Sequence, residues 1–293
     1  MAGIDINRTT DGVYLPPAVS SEIWADAQEQ SIVMQLARQI TLPASGMTVP
    51  MITGDPEAEW VAETDPKPVS RGTFDHRTLT PYKVAVIEPF SMEFRRDLPA
   101  LYNAVRSRLA NAIARKFDEA VLFGPAPGTG FDTLADAPEV ALVNTGDTTM
   151  YDGLVEAIST VSDGDGDLSA WVFNGGGEAM ALQAKDQNGR PLFIQDLQNE
   201  GRRIGRFLGR DAYKSKHVRR DDNTIGFAGD WSTAMYGVVA QISVTESDQA
   251  TLTDGDTTLN LWQRNMFALR CEAELGFAVR DSDRFVRLTD GGS

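Results

Sequence analysis

Few side chains in this sequence stand where chemistry would need them. The histidines are His76 and His217, and no serine sits in a Gly-x-Ser-x-Gly elbow, so acyl transfer has little to build on. Cys271 is the single cysteine, which rules out an intramolecular disulfide framework, and no set of Cys and His ligands for structural zinc is present. Gly124-Pro-Ala-Pro-Gly128-Thr-Gly130 is glycine-rich, but it follows a helical pattern and lacks a Lys-Ser or Lys-Thr, so it reads as a turn and not a phosphate loop. Asp163, Asp165 and Asp167 have the alternate spacing of a calcium loop. Leu168 occupies the position that needs glycine, however, and Asn174 stands where a bidentate glutamate belongs, which favours a solvated acidic turn. No metal, cofactor or catalytic residue is assigned. The basic stretch Arg202, Arg203, Arg206, Arg210, Lys214, Lys216, Arg219 and Arg220 is the one cluster that could draw nucleic acid. Its interleaving with Phe207 and Tyr213 favours an exposed strand surface, or a contact with an acidic neighbour.

The elements that would position these groups are clearer than the groups themselves. Ser20 to Arg38 has helical periodicity, and a short strand pair is expected about Ala44-Ser45-Gly46. An extended excursion follows from Glu57, its tip Thr64 to Gly72 rich in prolines and turn formers. Two arms of about a dozen residues would reach on the order of 40 Å, and an isolated two-stranded ribbon is marginally stable at best. Trp60, Phe74 and Tyr82 on these arms therefore imply a partner surface, and a second copy of the chain is the economical one.

A long helix is expected next, from an Asp97 N-cap to a stop at Gly124, with Leu98, Leu101, Val105, Leu109, Ile113, Phe117 and Ala120 on one face. Its expected packing partner is the alternating strand Phe267 to Val279, which turns Cys271 inward as a core thiol. Between them, helices at Tyr151 to Ser162 and Gly177 to Lys185, a buried strand at Ala170 to Asn174 and short strands near Arg210 to Ser215, Thr224 to Phe227 and Met235 to Thr245 suggest an inserted α+β unit.

At 293 residues the chain can bury a sizeable core, and it holds no run approaching the ~20 apolar residues of a membrane span. The formal charge of -15 argues against a dedicated nucleic-acid binder. The charge is uneven. Residues 1–70 are acidic, opposed by Arg8, Arg38 and Lys67, whereas the helix region carries Arg95, Arg96, Arg106, Arg108, Arg115 and Lys116. An acidic arm of one copy could sit on the basic helix of the next, or both could be solvated faces, since exposed ion pairs contribute only about 0–1 kcal/mol.

The order of these segments resembles the tailed-bacteriophage major capsid proteins of the Hong Kong 97 type. The resemblance is carried by LPPAVSSEIW and SIVMQLARQITLPASGMTVP, by AEWVAET and FDHRTLTPYKVAVIEPFSMEFRRD, by the spine helix, by WVFNGGGEAMALQAKDQNGRPL and IGFAGDWSTAMYGV, and by NMFALRCEAELGFAV. It implies an α+β Hong Kong 97-type fold with an N-terminal arm (1–50), an extended loop (51–92), a peripheral domain with the spine helix (93–150), an inserted axial domain (151–263) and a peripheral return strand (264–293). It implies a structural protein, not an enzyme, that self-assembles through pentamers and hexamers into the icosahedral shell around a double-stranded DNA genome. Shell assembly would occur in the bacterial host cytoplasm, and the protein would reside in the virion, with a portal protein and a separate scaffolding or decoration protein as partners. It implies only weak, non-specific contact with packaged DNA, and no membrane. Trp60, Phe74, Tyr82 and Lys83 fall in the loop, and Asp186, Asn188, Gly189 and Arg190 in an axis-facing turn; the same residues also read as ordinary hairpin packing and an ordinary turn. Because Met1 comes almost directly before the arm, a separate scaffold or none is expected. The loop lysines Lys67 and Lys83 do not align with acceptor partners among Asn260, Asn265, Glu272 and Glu274, so no covalent crosslink is expected. An encapsulin-like compartment shell is the alternative within the same fold, and a soluble carboxylate-dependent enzyme the alternative outside it.

Overall fold

The computed structural model describes residues 13–14, 17–54, 58–61, 67, 69, 73–93, 98–143, 149–184, 193, 202–218, 223–255 and 257–291. Its frame is built by the longest alternating segments. β14 (Met266–Val279) and β11 (Ala234–Ser247) pair antiparallel from Ala234↔Val279 to Ser247↔Ala268. β5 (Tyr82–Ser91) covers the other side of β14, from Leu275↔Tyr82 to Met266↔Ser91, and forms the outer edge of this sheet. β1 (Val13–Tyr14) and β2 (Arg38–Thr41) line the far side of β11, β1 antiparallel and β2 parallel. The alternation turns Phe267, Leu269, Cys271, Ala273, Leu275 and Phe277 to one buried face.

α3 (Leu98–Phe123) lies on that face. Phe117 meets Phe277 and Tyr236 edge to face, with ring centroids 6.4 and 6.3 Å apart, so the expected packing of the spine helix on the strand Phe267 to Val279 is present. α1 (Pro17–Gln30) also packs along α3, adding Ile23, Trp24 and Ala27 to the same core. The helix stops where Gly124 takes φ +63, the left-handed geometry in which a glycine is favoured.

The expected single helix from Ser20 to Arg38 is instead two. α1 ends at Gln30, and α2 (Ile32–Leu36) begins after Ser31, whose hydroxyl accepts from the Met34 N–H at 3.1 Å. A serine side chain that captures a backbone donor in this way interrupts a helix and starts another. The strand pair expected about Ala44 to Gly46 is also absent. β2 joins β11, while β3 (Met47–Gly54) turns away and pairs with β4 (Thr73–Leu79). Both segments had strand character, and non-local registers decided their partners.

A second sheet runs β6 (Glu139–Ala141), β15 (Phe285–Thr289), β10 (Thr224–Gly229), β7 (Ala170–Phe173), β9 (Arg210–Lys214), β8 (Arg203–Phe207). α4 (Met150–Asp163) and α5 (Gly175–Gln183) supply Leu154, Ala157, Val161 and Ala181 to the core on one side of it. Trp171 and Phe173 face that core, whereas Ala170 and Val172 face the core of the first sheet. Burial on both faces is why β7 is a continuous apolar run and not an alternating one. Pairing crosses the boundaries read from the sequence: β11 falls within 151–263 yet joins β14, and β15 falls within 264–293 yet joins β10.

Candidate assembly surfaces

The β3–β4 ladder begins at Met47↔Leu79 beside the main sheet and ends at Gly54↔Thr73. Six steps at about 3.3 Å carry its far end roughly 20 Å from its base. Leu79 is fully buried at the base, and β3 and β4 form a two-stranded sheet of their own. Beyond the ladder, Ala58, Glu59, Trp60 and Val61 are exposed, Trp60 fully so at 106 %. Lys67 and Val69 are exposed as well. A tryptophan with this surface in water is a large apolar group without a home in its own subunit.

At the base of the excursion, β5 presents its outer edge beside α3. Tyr82 is anchored there, its hydroxyl donating to the Thr129 carbonyl at 2.7 Å and its ring meeting Phe131 edge to face at 6.3 Å. Gly128 permits this approach, because a Cβ there would come within 2.3 Å of the Tyr82 hydroxyl. The glycine-rich segment after the spine is therefore a packing turn over Tyr82. Next to it lies an apolar groove of about 280 Å³ lined by Tyr82, Val84, Phe117, Ala120, Phe131 and Leu275, with Lys83, Lys116 and Glu119 at its rim. Lys83 is exposed and lies 3.5 Å from Glu274 and 3.8 Å from Glu272. The adjoining face of α3 carries Arg108, Arg115 and Lys116, with Arg108 bonded to Glu88 of β5 at 2.8 Å.

A buried polar junction underlies these surfaces. The Asp118 carboxylate on α3, wholly buried, accepts from the Ser31 hydroxyl at 2.5 Å and from the Ile32 and Val33 N–H groups at 3.1 and 3.3 Å. The His217 ring contacts it through Nδ1 at 2.5 Å and reaches Asn111 through Nε2 at 3.3 Å. Arg202 donates to the Gln30 carbonyl beside it, and burial lowers the guanidinium pKa against the opposing pull of Asp118. Ser, Asp and His thus meet, but the serine bonds the aspartate and not the histidine, which is not the order a nucleophilic triad requires. The junction ties α2, α3 and the segment after β9 together. It is legible only in hindsight: Ala110, Ala114, Asp118 and Leu122 form a second buried stripe at four-residue spacing, and Asp118 is its polar member.

Of the residues singled out in the sequence, Trp60 is exposed in the segment between β3 and β4, Tyr82 and Lys83 are at the base of the hairpin, and Phe74 lies in β4 opposite Ile52. Asp186, Asn188, Gly189 and Arg190 lie outside the described residues. Much of the basic stretch is paired within the chain. Arg203 and Arg206 bond Asp211, Arg210 bonds Asp167 at 2.7 Å, and Lys214 bonds Glu178. Trp262, between β13 (Thr257–Asn260) and β14, is a second exposed tryptophan that sequence reasoning did not single out. With β12 (Thr251–Asp254), β13 forms a separate small hairpin.

The sequence matches the phage capsid family over residues 11–290. The chain belongs to that family. It is 36% identical over 297 residues to a probable major capsid protein of Mycobacterium phage D29, covering 94% of this chain and 90% of that one. Among solved structures it resembles a chain of Mycobacterium phage Adephagia, with TM-score 0.72, 24% identity and coverage of 88% and 89% of the two chains. It also resembles a chain of Mycobacterium phage Bobi, with TM-score 0.73, 22% identity and coverage of 100% and 96%. At these identities the structural likeness speaks for the fold, and the fold is that of the phage capsid family. The frame of long strands, spine helix and projecting hairpin is thus a capsid-protein frame.

Proposed function

We infer that this chain is a major capsid protein, which self-assembles into the icosahedral shell of a tailed bacteriophage and resides in the virion. The observation that carries the reading is a family match across nearly the whole chain, joined to a fully exposed tryptophan in the segment between β3 and β4. Its role is mechanical and not catalytic. The buried Asp118–His217 pair serves packing of the arm, and Arg203, Arg206, Arg210 and Lys214 of the basic stretch are engaged in ion pairs within the chain. The encapsulin-like and enzyme readings have no comparable support.

The mechanism of a shell is closure. Each contact can be modest, because a subunit already held by one neighbour meets the next at high effective concentration. The acidic balance of -15 suits confinement of DNA without tight binding, since retention would need neutralisation of phosphates by many Lys and Arg. Arm (1–50), extended loop (51–92), peripheral segments (93–150 and 264–293) and axial segment (151–263) remain our division of labour, with β11 and β15 as strands that stitch the two sheets across it. The loop residues Trp60, Phe74, Tyr82 and Lys83 serve subunit contacts, and the turn Asp186, Asn188, Gly189 and Arg190 serves the capsomer axis. Portal and scaffolding or decoration proteins complete the particle, which assembles in the host cytoplasm. Electron microscopy of the purified chain tests the reading: closed polyhedra or capsomer rings are expected, and dispersed small particles under all assembly conditions would refute it.

A further inference from the structure

The hairpin meets the main sheet on the face opposite α3, and the meeting point is built from two glycines and two leucines. Gly237 of β11 and Gly276 of β14 are direct partners in the ladder, with the pair Met235 and Ala278 next to them on that face. Leu42, just after β2, and Leu79, the last residue of β4, are buried against them. A Cβ on Gly237 would come within 2.9 Å of Leu42 and 3.2 Å of Leu79, and one on Gly276 within 3.0 Å of Leu79 and 3.2 Å of Leu42. Carbon atoms prefer about 3.5–4.0 Å. Each leucine therefore reaches both glycines, and the two fill a window in the sheet that any side chain at 237 or 276 would narrow.

Both connections of the hairpin to the frame are short and contain proline. Leu42 to Gly46 joins β2 to β3, with the Gly46 N–H donating to the Pro43 carbonyl at 2.9 Å, and Thr80-Pro81 joins β4 to β5. Backbone bonds pin both ends beside the window: the Leu42 N–H donates to the Val238 carbonyl at 2.9 Å and the Thr80 N–H to the Gly130 carbonyl at 2.8 Å. Proline fixes φ, so these connections bend little, and the β3–β4 ladder pairs with no other described strand. Its direction is thus decided where Leu42 and Leu79 sit. We propose that Gly237 and Gly276 are positioning residues for assembly: their window seats the two leucines, fixes the pitch of the hairpin and thereby sets the curvature at which copies of the chain join. Relieving a contact of 3.0 Å takes a shift of about 0.5–1 Å. Across one strand spacing of about 4.8 Å that is a rotation of roughly 6–12°, which moves the end of a ladder roughly 20 Å long by about 2–4 Å. The displacement recurs at every copy and so changes the rotation by which the assembly closes. The proposal rests on the shell reading and assigns residues that set the shell's geometry.

Pitch is read in the isolated full-length subunit by the distance between nitroxide spin labels on Thr73→Cys, at the far end of β4, and Ser243→Cys, on β11; native Cys271 is buried and stays unlabelled. Gly276→Ala should shift that distance by about 2–4 Å. Adding Leu79→Val, which removes about the volume that the alanine adds, should return it. Leu79→Ala alone should broaden the distance distribution. In unlabelled chains, electron microscopy should show Gly276→Ala particles of altered diameter, or open and irregular shells, and wild-type particles from the pair with Leu79→Val. A lowered unfolding midpoint with unchanged distance and wild-type particles would show a packing role alone and overturn the proposal. A shifted distance with wild-type particles, or a double variant no better than Gly276→Ala, would overturn it too. If Gly276→Ala does not fold, Leu79→Ala decides, and an unchanged distribution there sinks the seat. A wild-type chain that forms no shells refutes the shell reading, while the spin distances still decide whether the window sets the pitch.

Discussion

Asp118 and Cys271 show how much of this protein's stability rests on single buried groups. Asp118 accepts hydrogen bonds from Ser31, Ile32 and Val33 and holds His217, so its removal leaves several buried donors without an acceptor. Asp118→Ala is expected to cost about 3–5 kcal/mol, read as a lower denaturation midpoint of the isolated subunit. Cys271 is buried on the core face of β14, and burial first, with Glu272 adding to it, pushes its thiol up to about 12 from an ordinary value of 9.0. The raised value fixes the sign of the pH dependence. Well below pH 9 the thiol is mostly protonated in both folded and unfolded chains; as pH rises through 9 the unfolded chain releases the proton while the folded one keeps it, so stability falls as pH rises toward 12. Thiol reagents at pH 8 should therefore modify the native subunit slowly and the denatured chain fast, as followed by absorbance of the released chromophore.

At the scale of elements, the hairpin and the spine divide the work. From Val105 to Leu122, α3 is pinned by apolar contacts, whereas β3 and β4 pair only with each other among the described strands. A ribbon of this kind adds little to the stability of its own subunit. Deletion of Asp65 to Gly72 should accordingly leave the unfolding midpoint of the subunit within measurement of wild type but impair shell closure or heat resistance, seen by electron microscopy and calorimetry of particles. Shells that form normally and survive heat as wild type would remove the loop tip from assembly. α4 illustrates a local device of the opposite kind. Thr149 and Asp152 form a reciprocal capping box, and the Thr149 hydroxyl, then its N–H, hold the Asp152 carboxyl below its ordinary range.

At the scale of the molecule, two sheets share one continuous body because β7 is buried on both faces and β11 and β15 each leave their sequence neighbourhood to pair elsewhere. A shell of such subunits is held by contacts among copies. Lys83 forms ion pairs with Glu272 and Glu274 of its own chain, and neither it nor Lys67 aligns in the sequence with an acceptor partner. Particles boiled in denaturing detergent and reductant should therefore run as the monomer on a gel, and a ladder of multimers would show that covalent links form.

The existence and type of most elements were legible in the residues alone. Alternation from Phe267 to Val279 announced β14, a continuous apolar run announced β7, and Gly124 before Pro125 announced the end of the spine. These are properties of neighbouring residues, set by periodicity and by local hydrogen bonding. Other features depended on groups far apart in the chain. The pairing of β2 with β11, the carboxylate of Asp118 on a serine 87 positions away and the groove between β5 and α3 arise only when distant segments close on one another. Residue order alone carries the preference of each segment for strand or helix. The choice among possible partners belongs to the burial and register of the whole fold.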